Sequence, residues 1–340
     1  RVSERPSLKS FNTFGVDASA GLLIILESEE DLLSLPPFNP DRDIILGGGS
    51  NVLLASDVPG SVVHNRISGR EIVQSNSRHA WVEVGAGENW HELVLWTIDN
   101  GLSGLENLSL IPGFAGAAPI QNIGAYGVEL ASVLESVTAW DLEHSGWKLF
   151  SRDECRLAYR ESRFKSGEPG RYLITSIRLR LDRRFTAQLD YAGLREELGP
   201  GEDGKLTARE VSEAVIRLRR CKLPDPSKTG NAGSFFKNPV LEADDAAEIL
   251  ARHPGLPHWD FGDEGIKLSA AWIIDQCGLK GYRQGDAAVS ERHALVIVNL
   301  GAASGREILA LSATVSDRVR DRFGVRLEPE PRIVEFSVTD

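Results

Sequence analysis

The residues best suited to chemistry lie in the stretch 230–239, GNAGSFFKNP. Its glycines and alanine let the backbone approach a ligand closely, and two adjacent phenylalanines can exclude water. Ser234, Lys237 and Asn238 add polar groups that can converge on a bound molecule. The alternative is an ordinary glycine-rich turn before a helix, because the stretch lacks the lysine-hydroxyl ending of a phosphate loop and the serine elbow of a hydrolase. Composition alone leaves both interpretations open.

Two further stretches carry charged groups that can act on a substrate. Residues 155–165, CRLAYRESRFK, hold five ionisable side chains beside a tyrosine. They are either a solvated surface or one wall of an anionic-ligand cleft, in which an arginine grips a carboxylate or phosphate. At 328–331 two glutamates alternate with prolines, and such rigid placement suits general acid–base or charge-stabilising work. The alternative there is a charged edge strand that proline keeps from pairing.

The stretches that can hold a cofactor are rich in small residues. In residues 47–51, GGGSN, successive backbone N–H groups can form a nest for a pyrophosphate. Because no helix follows and the glycine spacing does not fit a dinucleotide fingerprint, this stretch alone favours a plain hairpin turn between two strands. Residues 113–127 contain too few large side chains to build a core of their own. That composition favours a segment whose backbone packs against a flat ligand, such as a cofactor. The alternative is a long, tightly folded loop.

The elements that position these residues follow from hydrophobic periodicity and capping signals. Alternating or apolar runs predict strands at 22–26, 43–46, 52–54, 81–84, 137–142, 147–150, 171–181, 293–299 and 325–327. Caps and amphipathic spacing predict helices at 89–100, from Thr207 to the prolines of 224–226, at 244–252 and 269–277, and from Ser304 to Gly324. The proline-bounded segment 224–226 is the expected domain boundary, and the last third of the chain is predicted to be α/β.

Composition narrows the class of protein. A chain of 340 residues suits two or three domains, and 41% hydrophobic with 26% charged residues is ordinary for a soluble globular protein. A net charge of −11 without a basic run argues against a nucleic-acid partner. We expect a cytoplasmic protein with no membrane contact, because no apolar run has bilayer length and the first residues carry no signal segment. Cys155, Cys221 and Cys277 are expected to be reduced thiols, with no disulfide and no metal site.

Taken together, these strings resemble one family, the UDP-N-acetylenolpyruvoylglucosamine reductases (UDP-N-acetylmuramate dehydrogenases) of bacterial peptidoglycan synthesis, in their type I subfamily. The resemblance covers nearly the whole chain through NTFG at 12–15, GGGSNVLL at 47–54, VGAGENWHELV at 84–94, GLENL at 104–108, IPG at 111–113, PIQNIGAYGVEL at 119–130, KLPDP at 222–226, GNAGSFFKNP at 230–239, IDQCGLKG at 274–281 and LEPE at 327–330. It implies an α+β protein of three domains. Residues 1–68 with 327–340, and residues 69–223, would form a vanillyl-alcohol-oxidase-like (PCMH-type) FAD-binding unit. Residues 224–326 would form an α/β substrate-binding domain that closes over the substrate.

The resemblance also implies roles for single residues. Ser234 would protonate the reaction intermediate, while Arg160 and Glu330 would polarise the enolpyruvyl carboxylate. His293 is left out of this catalytic set, since a glutamine takes its place in some members. Substrate binding is expected at Tyr159, Tyr191, Lys222, Lys237, Asn238 and Lys267. FAD binding is expected at Gly47, Gly48, Gly49, Ser50, Asn51, Pro112, Gly113, Pro119, Gln121, Asn122, Gly124, Ala125 and Tyr126.

The implied reaction is an NADPH-dependent reduction. NADPH reduces FAD and leaves, and the vinyl carbon of the enolpyruvyl sugar nucleotide then takes hydride from FAD N5. A fixed arginine and glutamate stabilise the charge that develops on the carboxylate, by about 3–4 kcal/mol per good donor. The serine gives a proton to a carbanion-like carbon, so it acts as an acid and not as a nucleophile. We expect a monomer whose partners are this substrate and NADPH.

Two other hypotheses stay open. Another FAD-dependent oxidase or dehydrogenase of the same cofactor fold is disfavoured, because many such enzymes tether flavin through histidine or cysteine and residues 47–51 contain neither. A non-catalytic sugar-nucleotide binder predicts loss of the polar trio, whereas Arg160, Ser234 and Glu330 are all present.

Overall fold

The computed structural model describes residues 1–191, 193–199 and 206–336. Helices and strands mix throughout these ranges, so the fold class is α+β, as predicted. The chain divides into a first unit (Arg1–Pro6, Ala20–Gly49, Val58–Arg220) and a second unit (Ser7–Ser19, Ser50–Asp57, Cys221–Asp340). The division into three domains stays a prediction, and the last residues of its first domain, 337–340, lie outside the described ranges.

The strands, in chain order, are mostly short. They are β1 (Val2–Glu4), β2 (Ala20–Leu26), β3 (Ile44–Leu46), β4 (Val52–Leu54), β5 (Val58–Asn65), β6 (Arg70–Ser75), β7 (His79–Gly85), β8 (Gly124–Ala125), β9 (Val128–Glu129), β10 (Leu134–Asp141), β11 (Gly146–Ser151), β12 (Tyr172–Asp182), β13 (Gly230–Ser234), β14 (Val240–Leu241), β15 (His258–Asp260), β16 (Ile266–Leu268), β17 (Arg283–Gln284), β18 (Ala287–Val289), β19 (Val296–Asn299) and β20 (Arg332–Val334). The α-helices are α1 (Trp90–Asp99), α2 (Leu194–Leu198), α3 (Ala208–Lys222), α4 (Ala243–Arg252), α5 (Ala270–Gln276) and α6 (Gly305–Phe323).

Two sheets form the framework of the first unit. One has the order β1-β2-β5-β3, with β2, β5 and β3 parallel, and the other is antiparallel in the order β11-β10-β12-β7-β6. Leu173 and Trp140 of the second sheet pack with Val63 and Ile24 of the first. On the other face of the second sheet, alternating residues of β7, β10 and β12 pack with the buried side chains of α1. Apolar residues on both faces of the five-stranded sheet thus make it the centre of this unit.

The second unit is built on the antiparallel sheet β13-β19-β18-β17, next to which α6 lies. Ser304 and Glu307 form the predicted capping box at the start of α6, and Gly324 ends the helix with φ +71°. The predicted apolar face of α6 is buried along its whole length, at Ile308, Leu311, Val315, Val319 and Phe323. A three-stranded sheet, β14-β16-β15, and the parallel pair β20-β4 complete the unit.

Two local predictions are wrong. The turn 47–51 does not close a hairpin, because β3 pairs in parallel with β5 in the first unit and β4 pairs in parallel with β20 in the second. Residues 325–327 are not a strand, and the pairing strand begins at Arg332. The alternative of a turn before a helix at 230–239, which the sequence left open, does not apply, since the stretch starts as strand β13.

The cysteines are free, and Cys155 is buried, which raises the pKa of its thiol to about 12. Among the described residues, the helices are either too short or too polar to span a bilayer.

Candidate active site

The first group of predicted cofactor-binding residues lies around the turn Gly47–Gly49. A side chain added at Gly48 would place its Cβ 2.8 Å from the Cα of Gly113, and one at Gly47 would lie 3.7 Å from Ala117. Gly113 is held in place by the main-chain amide of Trp90, which donates a 3.0 Å hydrogen bond to the Gly113 carbonyl. The two small-residue stretches therefore meet backbone to backbone, and bulkier residues would separate them.

The chain crosses between the two units inside the predicted pyrophosphate nest. Gly49 belongs to the first unit, whereas Ser50 and Asn51 belong to the second. The Asn51 side-chain amide donates a hydrogen bond to the Glu330 main-chain carbonyl at 3.3 Å. The Asn51 main-chain carbonyl accepts a hydrogen bond from the main-chain amide of Arg332 at 3.0 Å. Asn51 thus also supports the segment that carries a predicted catalytic residue.

Residues 119–126, called the wall below, contain most of the other residues that the sequence predicts to bind the cofactor. Asn122 is buried, its amide donates to Glu129 and to the Ala158 carbonyl, and its oxygen accepts from the Ala131 amide. These bonds hold Asn122 in a left-handed conformation, with φ +45°. Its side chain therefore braces the loop, and a contact between this side chain and a cofactor stays a prediction.

Two tyrosines pack together at the end of this wall. The rings of Tyr126 and Tyr191 lie 4.9 Å apart, edge to face. Burial raises the pKa of Tyr126 to about 12, so its hydroxyl remains protonated at neutral pH. Tyr191 is 42% exposed, and its role in substrate binding stays a prediction.

Arg160, the predicted catalytic arginine, is held against the same wall. Its Nη2 donates a 2.8 Å hydrogen bond to the carbonyl of Gly124, and the Tyr159 ring centroid lies 5.4 Å from its guanidinium carbon. A Cβ at Gly124 would lie 3.1 Å from Nη1, so glycine makes room for the guanidinium. The backbone of Arg160 is left-handed, with φ +54°, and its carbonyl accepts from Lys165 Nζ at 2.9 Å. The sequence does not predict this strained conformation, which concentrates at functional sites.

A second arginine, Arg219 of α3, reaches the same region and was missed by the sequence analysis. Burial lowers the pKa of Arg219, the charge of Arg160 lowers it further, and Tyr126 acts in the opposite direction. Its Nε atom is buried and has no hydrogen-bond partner among the described residues. The positive charges of Arg160 and Arg219 thus act on each other, and a bound anion would offset this repulsion.

A signal for Arg219 was present in the sequence. Arg219 follows the buried Val215 by four residues, which places it on the inward face of α3. The exposed neighbour Arg217 instead pairs with Glu197 on the outside. A long basic side chain on the inward face of the helix is therefore the feature that separates Arg219 from the surface arginines of α3.

The second unit carries the other two predicted catalytic residues. Ser234 is the last residue of β13 and is half-buried, and its hydroxyl makes no hydrogen bond to any described residue. The main-chain amide of Glu330 donates a 2.8 Å hydrogen bond to the carbonyl of Phe235, the residue that follows Ser234. Phe235 itself is fully buried. The structure thus brings Ser234 and Glu330 onto adjacent backbone segments.

The predicted substrate-binding residues of this unit have defined neighbours. The Lys237 ammonium lies 3.3 Å from Glu328, and Asn238 accepts a 3.0 Å hydrogen bond from the Ala270 amide at the start of α5. Lys267 lies over the Phe261 ring, 4.4 Å from its centroid. The Asn238 oxygen is therefore already used, which leaves its NH₂ group for a ligand.

Lys222 is part of a cationic group that the sequence analysis did not complete. Burial lowers the pKa of His293, and the charges of Lys222 and Lys280 lower it further, so this imidazole is neutral at pH 7. Lys280 was absent from the predicted set. Lys222 and Lys280 thus both lie close enough for their charges to act on this imidazole.

The predicted catalytic trio is divided between the units. Arg160 belongs to the first unit, together with the predicted FAD-binding residues outside Ser50 and Asn51. Ser234 and Glu330 belong to the second, together with Lys222, Lys237, Asn238 and Lys267. Each unit thus holds one part of the predicted catalytic set, and the roles of these residues stay predictions.

Comparison with known proteins gives two family matches. Residues 22–143 match a family described as FAD binding domain. Residues 225–334 match a family described as UDP-N-acetylenolpyruvoylglucosamine reductase, C-terminal domain. The two matches cover the turn 47–51 and the stretch 230–239 respectively.

Whole proteins and one solved structure match over nearly their full length. The UDP-N-acetylenolpyruvoylglucosamine reductase of Chromobacterium violaceum is 46% identical over 96% of this chain and 97% of its own. That of Pseudomonas aeruginosa is 46% identical over 98% of both chains, and that of Bordetella pertussis is 48% identical over 96% of this chain and 93% of its own. The crystal structure of the reductase from Thermus caldophilus superimposes with a TM-score of 0.68 at 29% identity, over 98% of this chain and 99% of that one.

Proposed function

Because the chain belongs to the UDP-N-acetylenolpyruvoylglucosamine reductase family, we propose that it reduces the enolpyruvyl group of UDP-N-acetylglucosamine enolpyruvate to give UDP-N-acetylmuramate. The observation that carries this proposal is the identity of 46–48% over at least 96% of the chain. The reaction is a step of peptidoglycan precursor synthesis, uses FAD and NADPH, and takes place in the cytoplasm.

The first unit offers a cradle that fits FAD. Gly48 and Gly113 approach so closely that a single Cβ would fill the space between them, and the lack of side chains at Gly47, Gly48 and Gly49 lets a ligand come close to the backbone. We assign Gly47, Gly48 and Gly49 to the pyrophosphate, and Pro112, Gly113 and residues 119–126 to the flavin side. When bound there and reduced by NADPH, FAD supplies the hydride for the reaction.

The arginines of the first unit stabilise negative charge. Hydride addition to the vinyl carbon leaves an electron pair on the adjacent carbon, and that charge spreads into the carboxylate. Arg160, whose Nη2 donates to the Gly124 carbonyl at 2.8 Å, supplies the guanidinium charge that attracts this carboxylate. Arg219 adds a second positive charge next to Arg160. Donors fixed before the reaction lower the barrier, because no reorganisation is needed as the charge develops.

Ser234 and Glu330 complete the reaction from the second unit. A serine hydroxyl is a weak acid, but an enolate carbon is a strong enough base to take its proton. Glu330 polarises the same carboxylate together with Arg160, and its backbone is fixed to Phe235. Phe235 and Phe236, which are 0% and 2% exposed, keep the neighbourhood of Ser234 apolar.

The rest of the substrate carries phosphates and sugar groups. We assign Lys222, Lys237, Asn238 and Lys267 to these groups or to those of NADPH, and Lys280 joins Lys222 beside His293. Tyr159 and Tyr191 of the first unit complete the set. An oxidase of the same cofactor fold is the alternative, and dependence of turnover on oxygen separates it from the reductase.

Purified protein tests the proposal directly. We expect flavin absorbance bands and, without oxygen, oxidation of one NADPH per enolpyruvyl sugar nucleotide reduced. A flavin-free protein that cannot be reconstituted would overturn the cofactor assignment. NADPH oxidation that needs oxygen and ignores the sugar nucleotide would show an oxidase instead.

A further inference from the structure

Strand β13 contains one residue more than its partner strand. Asn231 lies opposite Val298, whereas Ser234, three residues later, lies opposite Val296. Two residues, Ala232 and Gly233, therefore face Ile297 alone, which defines a β-bulge. Gly233 has φ +73°, the left-handed conformation that glycine adopts in this kind of bulge.

The bulge decides which face of the sheet carries Ser234. Residues directly opposite each other share a face, and Val296 and Val298 share the face that packs with Ala288. Ser234 consequently lies on the same face as Asn231. In a strand without the extra residue, Gly233 would oppose Val296, and Ser234 would point to the other side. The predicted proton donor thus depends on one inserted residue for its direction.

Asn231 holds this bulge with its side chain. Its Oδ1 accepts a 2.9 Å hydrogen bond from the Gly233 amide, and its Nδ2 donates to the carbonyls of Thr229 at 2.8 Å and Pro224 at 3.2 Å. The Asn231 main-chain amide donates to the Thr13 carbonyl at 3.0 Å, and the residue is 3% exposed. The side-chain amide thus bonds to the bulge at one end and to the incoming loop at the other.

We propose that Asn231 is a positioning residue of the reaction, which directs Ser234 by fixing the bulge and does not itself touch the reacting atoms. This inference rests on the proposed function, in which Ser234 delivers a proton to the substrate. Loss of the acceptor for Gly233 frees the strand to return to regular pairing. A displacement of about 1 Å at a reacting group costs about 100-fold in rate.

Asn299 provides the matched control in the same sheet. It is also a buried asparagine, 6% exposed, which accepts from the amides of Gly301 and Ala303 and donates to the carbonyls of Phe14 and Ala303. It pairs with Gly230, four residues before Ser234, and its side chain braces the loop after β19. Asn299→Ala therefore removes similar bonds without releasing the bulge.

The test separates the two halves of the reaction in stopped-flow experiments without oxygen. We expect Asn231→Ala to leave reduction of the flavin by NADPH within about twofold, and to slow reoxidation by the enolpyruvyl sugar nucleotide by about 30–100-fold. Asn231→Asp keeps the oxygen that accepts from Gly233, so its reoxidation should fall by less than about fivefold although the protein is less stable. Asn299→Ala should affect stability and leave the ratio of the two rates unchanged.

Two further measurements keep the inference separate from the proposed function. The Gly233 amide should exchange with solvent about 10-fold faster in Asn231→Ala than in the wild type, whatever the enzyme catalyses. The double variant Asn231→Ala, Ser234→Ala should reoxidise no more slowly than Ser234→Ala, because the asparagine acts through the serine. An unchanged Gly233 exchange rate, equal losses in both half-reactions, or an additive double variant would each overturn the positioning role. Normal reoxidation in Ser234→Ala would instead refute the serine's role in the proposed function.

Discussion

The main-chain amide of Glu330 donates a 2.8 Å hydrogen bond to the carbonyl of Phe235, the residue that follows Ser234. A second bond, from the Lys237 amide to the Glu328 carbonyl at 3.0 Å, continues the same antiparallel contact. The two prolines beside Glu330 restrict its backbone further. The proposed proton donor and the proposed carboxylate therefore keep a fixed backbone spacing within one unit.

Glu330 should be needed for reduction of the substrate, whereas Glu328 should not. We expect Glu330→Gln to slow flavin reoxidation by about 100-fold, since one preorganised polar group at a developing charge has that effect. Glu328 is 68% exposed at its side chain, so Glu328→Gln is the control and should change the rate by less than about threefold. Equal rates for the two variants would contradict the role of Glu330.

Gly48 should be essential for holding FAD. Gly48→Ala places a methyl group 2.8 Å from the Gly113 Cα, and both segments are backbone that must move apart. We expect the variant to be purified with less than a tenth of the wild-type flavin per protein. Gly146→Ala is the control, because its nearest neighbour is 3.9 Å away. Full flavin content in Gly48→Ala would show that this approach does not build the cofactor site.

Arg219 should bind an anionic group of the substrate or cofactor. Loss of a hydrogen bond to a charged group costs about 1.5–3 kcal/mol, so Arg219→Ala should weaken catalysis by about 10–150-fold in kcat/KM. Arg217 on the same helix pairs with Glu197 and is 52% exposed at its side chain, and Arg217→Ala should stay within about twofold. The pair of variants, assayed at several salt concentrations, distinguishes a ligand contact from a general change in surface charge.

Asp141 should stabilise the first unit in a pH-dependent manner. Burial raises the pKa of this carboxyl, but hydrogen bonds from Arg171, His144 and two backbone amides outweigh it and leave the pKa at about 2. The stabilisation is therefore complete above the unfolded value of about 3.9 and is lost as the pH falls towards about 2. We expect Asp141→Asn to lower the free energy of unfolding by about 2 kcal/mol at pH 7, and by less at pH 3.

Urea unfolding at the two pH values measures this difference. Glu143→Gln is the control, because Glu143 contacts the same arginine at 3.3 Å but is 63% exposed, and it should cost less than about 0.5 kcal/mol. If Asp141→Asn lowers the free energy of unfolding by the same amount at pH 7 and pH 3, then lost packing, and not lost charge, is responsible.

Local signals predicted the helices and the central strands well. The box formed by Ser304 and Glu307, the Asn89 cap of α1 and the Thr207 cap of α3 each depend on residues within one turn of a helix. From Ile177 to Asp182, strand β12 alternates between buried and exposed side chains because only one face of the sheet is buried at that end. Such features are encoded in short stretches of sequence, and the structure confirms them.

Long-range pairing could not be predicted in the same way. Strand β4 pairs with β20 at the other end of the chain, so Gly47–Asn51 joins two sheets and does not turn back on itself. The hydrogen bond from Arg160 to the Gly124 carbonyl joins residues 36 apart in sequence, so no local pattern predicts it, and none predicts the left-handed backbone of Arg160. The bulge at Gly233 needs its partner strand to exist at all.

The most direct measurement is the behaviour of Ser234→Ala in the two half-reactions, followed by flavin absorbance without oxygen. The account predicts that NADPH reduces the flavin of this variant at close to the wild-type rate, because Ser234 takes no part in that step. Reoxidation by the enolpyruvyl sugar nucleotide should be about 100–10,000-fold slower, which is the usual contribution of a general acid. Equal slowing of both steps, or reoxidation at the wild-type rate, would contradict the assignment of Ser234 as the proton donor.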